Sequence, residues 1–130
     1  MQRSRLVQAE SYLRTREDIA FAYLFGSLAQ NKATLLSDVD IAVYLIEGKL
    51  TDKRLEILGD LIDILKTDNI DLVILNTAPP TLRMKIIQTK KILADNSPYI
   101  RHVFESATMR TYFDTSKIEN RILEERYLHG

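Results

Sequence analysis

Four residues stand out for the chemistry that their types and spacing allow: Gly26 and Ser27, then, after ten intervening residues, Asp38 and Asp40. Glycine lacks a Cβ, so a ligand or another side chain can approach its backbone closely, and it accepts dihedrals that other residues avoid. Ser27 offers a hydroxyl at the start of a short helical stretch, as its N-cap, where free backbone amides face an anion such as a phosphate. Asp38 and Asp40 are two apart on a stretch with strand character, so both carboxylates leave the same side. Two carboxylates held together repel unless a cation lies between them. Mg²⁺, which seeks hard oxygen ligands and binds phosphates, suits such a pair. Alone, Gly-Ser is an ordinary turn and Asp-x-Asp an ordinary strand entry. Their order, strand then Gly-Ser then short helix then Asp-x-Asp on the next strand, puts both halves at one end of adjacent strands.

The elements that must hold these residues are readable from hydrophobic periodicity. Residues 2–18 carry Leu6, Val7, Ala9, Tyr12 and Leu13 at helical spacing. The apolar and aromatic run Ile19 to Phe25, stopped by Gly26, predicts a buried strand. A short helix is expected from Ser27 to about Lys32. On the strand 38–46, Val39, Ile41, Val43 and Leu45 share one face and Asp38, Asp40, Ala42 and Tyr44 the other. Thr51 and Asp52 suit the cap of a helix reaching Lys66, with Leu55, Leu58, Leu61, Ile62 and Leu65 as its buried stripe. Ile70 to Leu75 predicts a third strand, followed by a helix over 81–89 and a brief edge strand at 91–93. Pro98 suits a first helical turn, with Ile100, Val103, Phe104 and Ala107 spaced for burial. A separate last helix is expected over 116–127, with a stripe of Ile118, Ile122, Leu123 and Tyr127. Strands and helices mixed in this way predict one α/β (α+β) domain over residues 1–130, a small mixed sheet flanked by helices.

Composition narrows the function classes. The 130 residues hold 18 Lys plus Arg against 18 Asp plus Glu, so the bulk electrostatics of a nucleic-acid binder are missing. No direct nucleic-acid binding is expected. There are no cysteines, which excludes thiolate zinc sites, disulfides and a Cys nucleophile. The apolar stretches are too short to span a bilayer, and no secretory h-region follows the N-terminus. The expectation is a cytoplasmic protein with no membrane association. His102 and His129 lack metal-ligand spacing and read as surface residues. The six tyrosines are scattered and read as packing or interface residues rather than a stacking platform.

The segment from Gly26 to Asp40 resembles the G-S-x10-D-x-D signature of the DNA polymerase β-like nucleotidyltransferase superfamily, and the chain resembles its minimal nucleotidyltransferases, the MNT type. Ser37 to Val43 is similar to the family's S-D-x-D strand, and Ile70 to Asn76 to the strand that carries its third carboxylate. Val103 to Asp114 is similar to the C-terminal helix of MNT antitoxins. One departure is Gln30-Asn31, where many relatives have Arg-Gly. The resemblance implies a polymerase β-like fold, ATP as substrate and two Mg²⁺ ions held by Asp38, Asp40 and Asp71. It implies the β- and γ-phosphates on Gly26 and Ser27. It also implies an antitoxin that moves AMP to a tyrosine hydroxyl of a HEPN-type ribonuclease toxin, with which it forms a hetero-oligomer. By residue pattern alone Asp71 reads equally as a solvated carboxylate at a strand start, with Asp63 and Asp68 as alternatives. Two other functions remain open on the sequence: a module that neutralises a toxin by occlusion alone, and transfer to a small-molecule acceptor.

Overall fold

The computed structural model describes residues 3–30, 38–46 and 48–128, and the side chains of residues 4–30, 38–46 and 48–114. The chain order is α1 (Arg3–Thr15), β1 (Ile19–Phe25), α2 (Gly26–Ala29), β2 (Val39–Leu45), α3 (Leu50–Leu65), β3 (Ile70–Ile74), α4 (Pro80–Thr89), β4 (Lys91–Asp95) and α5 (Pro98–Leu128). The four strands form one sheet in the order β3-β2-β1-β4. β1 lies antiparallel to β2 and to β4, whereas β2 and β3 run parallel.

Alternation along β2 divides the core in two. Val39, Ile41, Val43 and Leu45 face α1 and α3, meeting Ala9, Leu13, Ile57, Leu61 and Leu65. Ala42 and Tyr44 face α4 and α5, with Leu75, Ile86, Ile87 and Phe104. The strand faces are therefore those that the sequence predicts. β1 is buried on both sides, and a register shift between Ile19 and Phe21 turns both Ala20 and Phe21 toward α4 and α5. There Phe21 stacks on Tyr44, with centroids 5.3 Å apart, and Phe104 tilts across both rings.

Several expectations are corrected. α5 is one continuous helix of 31 residues, not two segments. Its inward meridian runs through Phe104 and Thr108, so Val103, 51% exposed, and Ala107 look outward. The stripe of α3 is centred on Ile57, Leu61 and Leu65, which leaves Leu55 at 61% exposure. α3 begins at Leu50 with Lys49 as N-cap and no side-chain cap, so Thr51 and Asp52 lie inside its first turn. The side chains of Ile118, Ile122, Leu123 and Tyr127 lie outside the described residues.

Polar contacts pin the layers together. At the α1–β1 turn Arg16 forms a two-point pair with Asp18 (2.9 and 2.6 Å) and reaches Glu56 of α3. Asn96 donates to the carbonyls of Leu13, Arg16 and Ile19, closing the end of α1. Each outer strand gives a carbonyl to an arginine: Arg54 Nε donates to Leu72 of β3 and Arg14 Nε to Leu93 of β4, both at 3.2 Å.

Candidate active site

β1 ends at Phe25, whose register partner on β2 is Asp40. The chain then turns through Gly26, at φ +73°, into α2. That left-handed conformation strains any residue with a Cβ, and a second constraint acts at the same place. An added Cβ on Gly26 would lie 2.1 Å from Oδ2 of Asp40. The glycine is thus a space requirement of the carboxylate as well as a requirement of the turn. Ser27 is half-buried in the first turn of α2. It does not cap that helix, as the sequence suggested: the N-cap is Phe25 and no side chain bonds there. Among the described residues its hydroxyl caps nothing and has no hydrogen-bond partner. The Gln30 amide closes the turn on the Gly26 carbonyl at 3.3 Å. Asn31, Lys32 and Ser37 lie outside the described residues.

The third carboxylate is set by the sheet. β2 and β3 are parallel with Asp40 directly opposite Asp71, which separates their Cα atoms by about 4.8 Å. Ile70 and Leu72 pack toward α1 and α3 and Val73 toward α4 and α5, so Asp71 shares the face of Asp40. Asp38 immediately precedes β2, exposed. Of the alternatives, Asp63 sits on α3 and Asp68 in the turn before β3, and neither has this pairing.

Asp40 is the least exposed of the three acids. Burial pushes its carboxyl above the ordinary carboxylate range, and the charges of Asp71 and Asp38 push the same way. A carboxyl whose proton affinity is raised by burial and by two neighbouring carboxylates can take a multivalent cation in place of the proton. Among the described residues no three acidic or histidine side chains form a ready-made cage. The donor set fits Mg²⁺ nonetheless, since that ion keeps several waters and is commonly held by one or two carboxylates together with substrate phosphates.

On the same sheet face lies a charged cluster that the sequence did not reveal. Glu105 of α5 accepts from the Tyr23 hydroxyl at 2.7 Å, from Arg101 at 3.1 Å and from Lys90, and Arg101 also pairs with Asp95 at 2.8 Å. Burial raises the Glu105 carboxyl, but the bonds from Lys90, Tyr23 and Arg101 outweigh it and hold the pKa low. Burial, and then the bond to Glu105, push the Tyr23 phenol well above its usual value. Tyr23 and Glu105 are 82 residues apart, and no local pattern marks such a pair. The cluster fixes α5 to β1 two residues before Phe25, and so steadies the end of the strand that carries Gly26.

The family model described as polymerase beta, nucleotidyltransferase matches residues 8–99, a span that includes every candidate site residue. No curated protein matches the sequence. A solved toxin–antitoxin structure with AMP-PNP is 23% identical, covering 98% of this chain and 99% of that one, at a TM-score of 0.73. A tri-AMPylated Shewanella oneidensis HEPN toxin in complex with MNT antitoxin gives 24% identity, 98% and 99% coverage and a TM-score of 0.70. The MntA–HepT toxin–antitoxin gives 24% identity, 97% and 99% coverage and 0.69. At these identities the likeness establishes a shared fold.

Proposed function

The chain belongs to the polymerase β nucleotidyltransferase family, and we propose on that premise that it is a Mg²⁺-dependent protein adenylyltransferase. In this reading it moves AMP from ATP to a tyrosine hydroxyl of a HEPN-type toxin and serves as that toxin's antitoxin in the cytoplasm. The observation that carries the transferase reading is the register of Asp40 with Asp71 beside a glycine whose missing Cβ makes room for the carboxylate. The acceptor is argued from the structural neighbours, which are toxin–antitoxin assemblies, one with AMP-PNP and one with a tri-AMPylated HEPN toxin. No helix among the described residues is long and apolar enough to cross a membrane.

The residues divide the work. The backbone at Gly26 and the Ser27 hydroxyl hold the β- and γ-phosphates. Asp38 and Asp40 would hold the cations, with Asp71 as a further ligand that would also help take the proton from the attacking hydroxyl. The cations, when bound, supply charge stabilisation at the phosphoryl oxygens. The tyrosine oxygen attacks the α-phosphorus as the bond to the bridging oxygen of the β-phosphate breaks. Pyrophosphate leaves, and the phenolic proton passes to Asp71 or to solvent. A rigid strand pair suits this role, because positioning and preorganised charge account for most of the catalysis in phosphoryl transfer.

The test is co-expression with a HEPN-type protein, followed by intact mass measurement. Mass added to the partner in AMP-sized steps, and lost in Asp38→Asn, is the expected result. A tight complex without added mass under ATP and Mg²⁺ would replace the enzyme with an occluding module.

A further inference from the structure

The sheet face that carries the site also carries, toward its far end, an outward helix surface that nothing in the chain covers among the described residues. Tyr99, Val103 and Phe113 of α5 are 78%, 51% and 54% exposed. Tyr99, Val103 and Ala107 form a ridge along successive turns with a hollow on each side. One hollow, of about 280 Å³, is bounded by Tyr44, Arg83 and Phe104 as well as the ridge. The other, of about 300 Å³, is bounded by His102, Ser106 and Arg110.

Both hollows are basic. Arg83 donates to the Asn76 carbonyl at 2.8 Å and lies over the Phe104 ring, but its Nε is buried without a hydrogen-bond partner. No carboxylate lines either hollow, and neither Arg83 nor Arg110 is ion-paired among the described residues. A half-buried guanidinium with an orphaned donor favours a carboxylate over a neutral group. An apolar ridge between two hollows matches the packing of one helix along another.

We propose that this α4–α5 face seats a helix of the partner protein, with an apolar seam straddling Tyr99 and Val103 and carboxylates on either flank meeting Arg83 and Arg110. The proposal rests on the reading that the acceptor is a protein, and adds where and by what chemistry that protein is held. A phosphate-bearing ligand fits less well, because the two cations stand on opposite sides of an apolar ridge rather than converging.

The test is the dissociation constant of the full chain with the HEPN-type protein of the co-expression test, at low and at high salt. Val103 and Arg110 are exposed, so Val103→Asp and Arg110→Glu should keep the wild-type melting temperature. Each is expected to weaken binding by about tenfold to a hundredfold. The Arg110→Glu effect should shrink at high salt. Leu55→Asp, on α3, should bind as wild type does. Wild-type affinity in both Val103→Asp and Arg110→Glu would overturn the docking face and leave the transferase reading standing. No complex with the wild-type chain would remove both.

Discussion

The carboxylate of Asp40 fills the space that a side chain on Gly26 would need, so the two residues are one structural unit. Replacing Gly26 by alanine therefore meets two separate costs. The left-handed backbone costs about 1–2 kcal/mol, and crowding against Asp40 adds about 1–3 kcal/mol. Denaturant unfolding of Gly26→Ala should show their sum. In an Asp40→Ala background the crowding disappears, and Gly26→Ala should then cost only the backbone strain. Equal costs in both backgrounds would mean that the close approach carries no energy.

Asp38→Asn, Asp40→Asn and Asp71→Asn should each lower nucleotide transfer by about a hundredfold or more while the fold survives. Circular dichroism and an activity assay on the same preparations check this. Loss of structure in either variant of the Asp38–Asp40 pair would make that pair structural instead of functional.

The raised pKa of Asp40 carries a sign for stability. The folded chain favours its protonated form, so this stabilisation is complete below the ordinary aspartate pKa and is lost as pH rises through the raised one. At neutral pH and without metal, Asp40→Asn should melt higher than the wild type. That advantage should fade on acidification below about pH 4, which thermal melts across a pH series would show.

Ser27→Ala should weaken ATP binding in the presence of Mg²⁺ by about three- to tenfold, the worth of one hydrogen bond. AMP binding should be unchanged, because Ser27 is assigned to the β- and γ-phosphates. Calorimetry with both nucleotides separates the two, and an equal loss for AMP would move Ser27 elsewhere in the site.

Glu105→Ala takes from Lys90 the carboxylate it pairs with among the described residues, and from Arg101 one of two, in a largely enclosed cluster, and should cost about 3 kcal/mol. The pKa of Glu105 is lowered, so its stabilisation is present above the ordinary glutamate pKa and lost as pH falls through the lowered one. The gap between wild type and variant in thermal melts should therefore close in acid.

Much of this arrangement was legible in the sequence because it is local. Alternation on β2 separated Val39, Ile41 and Val43 from Asp40 and Tyr44, and that division is the division of the core. The pairing of Asp40 with Asp71 was not legible, because a parallel register depends on how a helix returns the chain to the sheet. The continuity of α5 was hidden by Thr111-Tyr112-Phe113-Asp114-Thr115, residues of modest helix propensity. Packing overrides them: Thr108 is buried and Tyr112 half-buried on the meridian that continues from Phe104. Val103 misled for the opposite reason, since an apolar residue one step off that meridian has the right type and the wrong phase.

The arginines of α1 and α3 that bond to the two outer strands have a consequence for self-association. An extended peptide that tried to add itself to β3 or β4 would have to displace a guanidinium already bonded to Leu72 or Leu93. It would also meet the exposed charges of Asp71 on one margin and Lys91 on the other. Edges guarded in this way resist polymerisation and strand swapping. Another chain is thus turned away from the backbone margins and toward the helical layers.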